Sequence, residues 1–357
     1  MTDSHAIIKL ETLRKNLKLL KDFAGLPALP AIKANAYGHG AVRVAQHLEN
    51  DVMGFAVATP REALELRSAG IQTDIVLLTP APPEKLEELV ENQISFVVSS
   101  LAQIQELSRF SKNIKVHLKI NTGLNRLGAR VSDAAKILLE IGRSKLVLEG
   151  VMTHLVDSED LEPEHAGRQM DLLVDFIETH KPDARFFHAA NTGGIMNQSL
   201  HREMFNLVRP GIGLYGYAPG EDMHGVLNLE PAMTVQAWVT LVKRVFPGEI
   251  ASYNAKWTAT KETTLATVRF GYADGYPRAA SGQAKVEIFG QVFPVVGRIC
   301  MDQILVDVGE LEMNVGTSVT IFGPSSITAE SVAGWAGTNA YEILTSVGNR
   351  LERVYLG

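Results

Sequence analysis

The feature that most constrains the fold is a regular alternation of short β-rich runs with amphipathic helical stretches over roughly the first 230 residues. Eight strand-like runs follow the first helical stretch. They are LPALPAIK, GFAVAT, DIVLLT, ISFVVSS, IKVHLKI, LVLEGVMTHL, ARFFHAA and FNLVRPGIGLYG. Strands separated by helices form right-handed βαβ units and a parallel sheet. Eight units in about 220 residues favour a TIM-type (β/α)8 barrel over an open sheet.

The helical stretches between the strands carry apolar residues on one face. In ETLRKNLKLLKDFAG, the side chains of Leu13, Leu17 and Leu20 share a face and Gly25 is a natural stop. The segments PREALELRSAG, PPEKLEELVENQ and EHAGRQMDLLVDFIETH repeat this helical pattern. The run AIIKL precedes the first helix and reads as a further strand at the start of the barrel domain.

Near residue 230 the pattern changes. Strand after strand follows with Gly and Pro turns, interrupted only by helix-like stretches at TAESVAGWAG and YEILTSVG. We therefore predict an α/β chain with two domains, a (β/α)8 barrel over residues 1–230 and a mainly β domain over residues 231–357.

Charge and cysteine content restrict the class of ligand. The net charge is −6 with the two signs interspersed, so neither nucleic acid nor an anionic membrane is an expected partner. A single cysteine, Cys300, excludes an intrachain disulfide and a cysteine metal cluster, and no metal site is predicted. The start MTDSHAIIKL has no signal-peptide pattern, and no apolar run is long enough to span a membrane. These observations predict a cytoplasmic protein with a small ligand.

The barrel predicts where chemistry takes place. Active sites of such barrels lie at the C-terminal ends of the strands, where Lys33, His154, His188 with Asn191, and Arg209 would all fall. Lys33 has two interpretations. Its stem can pack while the amine reaches solvent or a carboxylate, or desolvation can lower its pKa so that the neutral amine attacks a carbonyl.

The residues around Lys33 resemble a known family. The segment AIKANAYGHG is similar to the cofactor-lysine motif of the alanine racemases, which are barrel-type pyridoxal phosphate enzymes. The resemblance continues in the same order through LKINTGLNRLG, MTHL, HAANTG, VRPGIGLYG, SYNAKW, GYADGYPR, VGRICMDQ and NAYEILT, so it covers nearly the whole chain. It implies an isomerase that interconverts L-alanine and D-alanine, for D-alanine supply to peptidoglycan or for alanine catabolism.

The resemblance implies two catalytic bases. Lys33 binds pyridoxal phosphate covalently and, once the substrate amine has displaced it, moves a proton on one face of the substrate. Tyr253 serves the opposite face. A free phenol has a pKa of about 10, so a tyrosine base needs help at neutral pH, and His154 matches the family's supporting histidine.

Further cofactor contacts also follow from the resemblance. Arg209 faces the pyridine nitrogen and keeps it unprotonated, because an arginine does not give up its proton, and His188 holds Arg209 in place. The phosphate is bound by five residues: Tyr37, Thr192, Gly211, Ile212 and Tyr341. Many relatives have serine where Thr192 stands, so the hydroxyl is kept.

The substrate carboxylate is assigned to Arg126 and to the backbone N–H of Met301. Lys119 matches a lysine that carbon dioxide carbamylates in several relatives, although Asn121 replaces the usual aspartate nearby. Tyr253, Met301 and Tyr272 lie in the predicted β domain, and in the family such residues reach the barrel of another subunit. A head-to-tail homodimer with two shared active sites is therefore expected.

Three alternatives stay open on the residues alone. A racemase of serine or of broader specificity would use the same proton chemistry, because one methylene or hydroxyl is discriminated only modestly by an apolar pocket. A non-catalytic pyridoxal phosphate-binding barrel would need no second base and no C-terminal domain. A barrel-type decarboxylase would be expected to place a carboxylate, and not Arg209, near the pyridine nitrogen.

Overall fold

The computed structural model describes residues 4–197 and 203–357. The chain divides into two compact units. The barrel unit comprises Leu13–Ala36 and Ala41–Leu229, and the β unit comprises the N-terminal stretch up to Thr12, Tyr37–Gly40 and Glu230–Gly357. Each unit is described by itself.

A parallel sheet forms the frame of the barrel unit. Its strands, each paired in parallel with the next, are Gly54–Val57, Asp74–Leu77, Ser95–Val98, Lys115–Asn121, Val147–Met152 and Phe186–His188. The short strand Ala129–Arg130 adds to the end of Lys115–Asn121. Four of these strands are buried along most of their length, as expected for a sheet covered by helices on its outer face.

Two irregular segments complete the barrel. The bridges Ala28 to Val208 and Ala31 to Ala56 are both parallel. The N–H of Leu29 donates to Val208 O at 2.8 Å, and the N–H of Asn206 donates to Phe187 O at 3.1 Å. Eight parallel segments therefore surround the core, which confirms the predicted (β/α)8 class. The segment that leads into Lys33 pairs only at isolated bridges, because Pro27 and Pro30 have no N–H to donate.

Helices alternate with these strands. Those of eight or more residues are Leu10–Ala24, Ala41–Leu48, Pro60–Ser68, Val131–Arg143 and Ala166–His180, and shorter ones are Leu86–Glu91, Leu101–Leu107 and Thr192–Met196. The predicted helix stop at Gly25 is confirmed, since this residue has φ +66° directly after Ala24. One apolar cluster inside the barrel contains Leu29, Ala56, Val76, Val97, Met152, Phe186 and Leu207.

The β unit contains an eight-stranded sheet. In spatial order its strands are Thr263–Val268, Ile304–Gly309, Gln291–Val296, Lys285–Ile288, Ser318–Phe322, Met233–Val245, His5–Lys9 and Glu352–Leu356. The first strand of this order also pairs with Met233–Val245, so six antiparallel strands close on themselves. A two-stranded ribbon, Ile250–Ala251 with Trp257–Thr258, and the helices Ala329–Ala336 and Ala340–Ser346 complete the unit.

The first strand lies in a different unit from the one expected. Sequence alternation placed AIIKL at the start of a barrel over residues 1–230, but His5–Lys9 pairs in parallel with Glu352–Leu356 and antiparallel with Met233–Val245. Ala6 and Ile8 are fully buried there. Local periodicity identifies a strand but does not tell which sheet offers a free edge. Among the described residues, no helix is long and apolar enough to cross a membrane.

Candidate active site

Lys33 begins an unusual turn. Ala34, Asn35, Ala36 and Tyr37 have φ values of 51°, 55°, 53° and 49°, which is a left-handed helical turn of residues other than glycine. This conformation costs roughly 1–2 kcal/mol per residue. Hydrogen bonds hold it, since the N–H of Ala36 donates to Ile32 O at 2.8 Å and the N–H of Ala41 to Asn35 Oδ1 at 2.9 Å. Strain of this kind occurs where a surrounding structure fixes a functional group.

The surroundings of the Lys33 amine lower its pKa. Burial lowers the pKa of Lys33, the nearby Arg126 lowers it further, and Glu62 opposes the shift. The neutral form of an amine is the nucleophile and the base. The surroundings of Lys33 therefore favour the second of its two interpretations.

Lys33 is one member of a cluster of cations in the barrel unit. Burial lowers the pKa of Lys119 to about 8, with further contributions from Arg209, Arg126 and Lys33 in that order. Lys119 lies within the strand Lys115–Asn121 and is only 6% exposed. Buried like charges are costly unless anions are bound among them. The cluster therefore fits a ligand that carries a phosphate or a carboxylate.

Arg209 is fixed from several sides. Its Nη2 donates to Thr153 O at 2.8 Å and to Ala189 O at 2.9 Å, and its Nη1 donates to His188 Nδ1 at 2.7 Å. Burial lowers the pKa of Arg209 to about 10, which still leaves the guanidinium charged at neutral pH. These hydrogen bonds satisfy the buried guanidinium and fix its orientation.

Behind Arg209 lies a pair of histidines, one of which the sequence analysis missed. His188 Nε2 lies 3.0 Å from His117 Nδ1. Burial and Arg209 lower the pKa of both rings, that of His117 to about 4, so both are neutral. Because Nδ1 of His188 accepts from Arg209, its proton is on Nε2 and points to His117. His117 and Lys119 are two residues apart on one strand, and this alternation was the signal available in the sequence.

His154 follows the strand Val147–Met152 and lies beside Arg209. Its Nδ1 is 3.5 Å from Arg209 Nη2, and burial together with Arg209 lowers its pKa well below the usual value. The buried Gln169 donates to the carbonyl of His154 at 3.0 Å and accepts from the N–H of Val156 at 2.8 Å. Gln169 lies on the helix Ala166–His180, where nothing in the sequence pattern distinguished it from other polar residues.

Thr192 holds the backbone of the glycine-containing segment that follows Arg209. Its Oγ1 accepts hydrogen bonds from the N–H groups of Gly211 at 2.9 Å and Gly213 at 3.2 Å. Two accepted bonds leave the hydroxyl hydrogen to donate to a ligand. Ile212 opens the 3-10 helix Ile212–Tyr215, and the first N–H groups of a helix have no partner within the helix. The sequence analysis assigned the phosphate to the backbone N–H groups of Gly211 and Ile212. In the structure the N–H of Gly211 already donates to Thr192.

The loop that carries Arg126 is held by an asparagine pair. Asn121 Oδ1 accepts from the N–H of Asn125 at 3.0 Å, and its Nδ2 donates to Asn125 Oδ1 at 2.8 Å. An aspartate at position 121 could accept the first bond but could not donate the second. Asn121 therefore holds this loop through an amide side chain that both donates and accepts.

Two predicted phosphate ligands lie together in the β unit. The rings of Tyr37 and Tyr341 are 6.0 Å apart and tilted by 47°. Burial raises the pKa of Tyr37 to about 12, so its phenol stays protonated and can donate to an anion. A Cβ on Gly38 would overlap the carbonyl oxygen of Leu344, which explains a glycine directly after Tyr37.

The β unit also groups the other expected residues. Tyr253 and Met301 line an open depression of about 500 Å³ together with Ser252, Cys300, Asp302 and Gln303. The N–H of Tyr272 donates to Cys300 O at 3.0 Å, which joins the two loops. Tyr253, Tyr272 and Met301 are 68%, 41% and 52% exposed in the single chain. Large exposed apolar side chains grouped in this way are typical of interaction surfaces.

The barrel unit has the groups that could hold pyridoxal phosphate. Lys33 offers an amine whose pKa is lowered by burial, and Arg209 offers a fixed cation for the ring nitrogen. Thr192 and the start of the helix Ile212–Tyr215 offer donors for the phosphate. The chemistry of this donor set fits the cofactor.

Comparison with known proteins finds relatives over nearly the whole chain. Residues 8–219 match the family profile described as "Alanine racemase, N-terminal domain", and residues 232–355 match "Alanine racemase, C-terminal domain". A curated alanine racemase of Deinococcus deserti is 42% identical over 356 residues, which covers 98% of each chain. Solved alanine racemases of Clostridium difficile and Streptomyces lavendulae are 36% and 35% identical, both with a TM-score of 0.94. They cover all of this chain, which in turn covers 96% and 98% of theirs.

Proposed function

The chain belongs to the alanine racemase family, and we propose that it interconverts L-alanine and D-alanine with pyridoxal phosphate, using Lys33 and Tyr253 as bases. The observation that carries the proposal is a cluster of four cations at the C-terminal ends of the barrel strands, Lys33, Lys119, Arg126 and Arg209. Lys119 and Arg209 are buried, Lys33 is half-buried and Arg126 is exposed. Such a cluster suits a phosphorylated cofactor together with a substrate carboxylate.

When bound, the cofactor supplies delocalisation of the electron pair left at the substrate α-carbon. The residues supply the rest. Arg209 keeps its own proton and would hold a fixed positive charge for the ring nitrogen, with His188 and His117 setting the orientation of its guanidinium. Arg126 binds the substrate carboxylate, as Met301 does through its backbone N–H.

Racemisation requires a proton to leave one face of the α-carbon and another to arrive on the opposite face. Lys33 serves one face because its pKa is lowered, so that its amine can take a proton. Tyr253 serves the other face. His154 is neutral, since burial and Arg209 lower its pKa, and therefore assists the phenol by a hydrogen bond and not by a positive charge.

We propose that Tyr253, Tyr272 and Met301 act on the barrel of a second subunit in a homodimer. The proposal is supported by the large exposed fraction of these three side chains in the single chain. Burial of such side chains stabilises an interface. The cytoplasmic location, and a role in D-alanine supply or in alanine catabolism, stay predictions from the sequence.

Solvent-deuterium exchange tests the proposed reaction. Purified protein with pyridoxal phosphate is incubated with each alanine enantiomer in deuterated water, and deuterium at the α-carbon and the enantiomeric ratio are measured. Inversion should place solvent deuterium at the α-carbon, whichever enantiomer is supplied. Protein that binds the cofactor but exchanges no α-hydrogen would be a storage barrel, and release of carbon dioxide would indicate a decarboxylase. Serine, tested in parallel, measures the breadth of specificity.

Lys119 should form a carbamate. Because its pKa is lowered from 10.5 to about 8, a much larger share of its amine is neutral near neutral pH than in an ordinary lysine. The neutral nitrogen attacks carbon dioxide, the proton leaves to solvent, and the resulting anion relieves the repulsion among the neighbouring cations.

¹³C-labelled bicarbonate should therefore give a carbamate signal in the ¹³C NMR spectrum of the loaded protein. Below about pH 8 the signal should weaken, because protonation removes the nucleophile. Lys119→Gln is the matched control and should lack the signal. An unmodified Lys119 in native mass spectra of the protein saturated with bicarbonate would rule the carbamate out.

A further inference from the structure

Glu62 connects the lysine turn to the neighbouring barrel strand. It lies in the first turn of the helix Pro60–Ser68, and its Oε1 accepts from the N–H of Ala34, the residue after Lys33, at 2.7 Å. Its Oε2 accepts from the N–H groups of Ala58 and Thr59 at 2.8 and 3.0 Å. A single carboxylate thus binds three backbone donors on two separate segments of the barrel.

Capping of the helix does not require the hydrogen bond from Ala34 to Glu62. In a capping box, the acidic residue needs only the N–H of the cap, which here is Thr59, and the cap side chain in turn accepts from the N–H of Glu62 at 3.3 Å. The bond to Ala34 spans 28 residues and reaches the first of four consecutive left-handed residues. Charge-assisted bonds of this kind are shorter and stronger than neutral ones.

We propose that Glu62 is a positioning residue, whose carboxylate fixes the left-handed turn and thereby holds the Lys33 amine in place for the cofactor. Without this acceptor, the N–H of Ala34 loses its partner and the turn can relax towards ordinary right-handed or extended backbone. The charge of Glu62 also opposes the lowering of the Lys33 pKa by burial. The inference rests on the proposed function only for the identity of the ligand that Lys33 binds.

The variants Glu62→Gln and Glu62→Ala test this role, with Thr59→Ala as the matched control. Glutamine has one acceptor oxygen, which makes more bonds with the two donors at Ala58 and Thr59, so its NH2 group is left facing the N–H of Ala34. Thr59→Ala removes the other half of the capping box and leaves all three bonds to the carboxylate intact. Glu65→Gln, on the same helix, controls for the loss of one charge.

Two measurements do not depend on catalytic turnover. In the full-length protein loaded with pyridoxal phosphate, amide hydrogen exchange at Ala34 should be at least about tenfold faster in both Glu62 variants. Borohydride trapping followed by mass spectrometry of Lys33 should give at least about tenfold slower attachment of added pyridoxal phosphate. Both rates should stay within about twofold of wild type in Thr59→Ala and Glu65→Gln.

The pH profile separates positioning from a general loss of stability. Because the Glu62 carboxylate raises the Lys33 pKa, its removal should move the midpoint of cofactor attachment to lower pH. A Glu62→Gln protein whose Ala34 exchange, attachment rate and midpoint all match those of Thr59→Ala would overturn the proposal. If Glu62→Ala does not fold, Glu62→Gln decides. If the Glu62 variants differ from wild type in these ways but the wild-type protein does not racemise alanine, only the proposed function is overturned.

Discussion

Replacing Lys33 with alanine or Tyr253 with phenylalanine should each reduce racemisation of alanine by at least about 10³-fold, because each change removes a proton-transferring group from one face of the substrate. Lys33→Ala also removes the amine that is proposed to bind the cofactor. Tyr253→Phe removes only a hydroxyl from a side chain that is 68% exposed in the single chain. Because the change keeps the ring and its apolar surface, thermal unfolding of that variant should match wild type.

Deuterium exchange distinguishes the two bases. With Lys33 still present, Tyr253→Phe should exchange the α-hydrogen of one enantiomer with solvent but should not invert it. The other enantiomer presents its hydrogen to the missing phenol and should not exchange. Full activity of Tyr253→Phe in both directions would refute the two-base assignment.

The same two variants test the shared active site. If Tyr253 acts in the partner's barrel, a mixed dimer of Lys33→Ala and Tyr253→Phe chains contains one site with both residues intact. Random mixing of two inactive proteins should then recover about a quarter of wild-type activity, because half of the dimers are mixed and half of their sites are complete. Mixtures that stay inactive while mixed dimers are detected by native mass spectrometry would contradict the shared site.

Arg209→Glu should produce the second large effect. The change replaces a buried cation that donates to His188 Nδ1 and to two carbonyls with an anion that can donate to none of them. Breaking a buried charged network of this kind costs about 3–5 kcal/mol of folding stability. A carboxylate near the ring nitrogen would also allow that nitrogen to be protonated. We expect racemisation to fall at least about 100-fold and transamination to pyruvate to rise.

Pyruvate formation from L-alanine, measured together with racemisation, checks the Arg209 prediction. Arg209→Lys is the matched control, since it keeps the positive charge but loses the planar fork that reaches His188 and the carbonyls together. We expect that control to lose racemisation without gaining transamination. An Arg209→Glu protein that stays folded and makes no more pyruvate than wild type would disprove the assigned role.

Much of the fold followed from periodicity and turn residues. The alternation of strands and helices predicted eight parallel segments and a following β domain, and both are present. The first barrel segment is less regular than predicted, because Pro27 and Pro30 remove donors from its ladder. His5–Lys9 read correctly as a strand but was assigned to the other unit, because pairing depends on which edge is available in three dimensions.

Some residues of the candidate site could be identified from the sequence, and others only from the structure. Lys33, Arg209 and Tyr253 were identified from motif resemblance, and their catalytic roles stay predictions. His117, Gln169 and Glu62 were missed because each acts through another residue, at separations of 71, 15 and 28 positions. Hydrogen bonds between distant segments leave no periodic signal in a sequence.

The sequence by itself determined the class of fold, the family and the residue types available for proton transfer. These depend on local spacing and on motifs in order, which a linear chain records directly. Only the tertiary structure decided which charges are buried together, and hence that Lys33 and Lys119 have lowered pKa values while His154, His188 and His117 are neutral. The pKa of a group depends on its desolvation and on the charges around it, and both arise only when distant strands meet in the barrel.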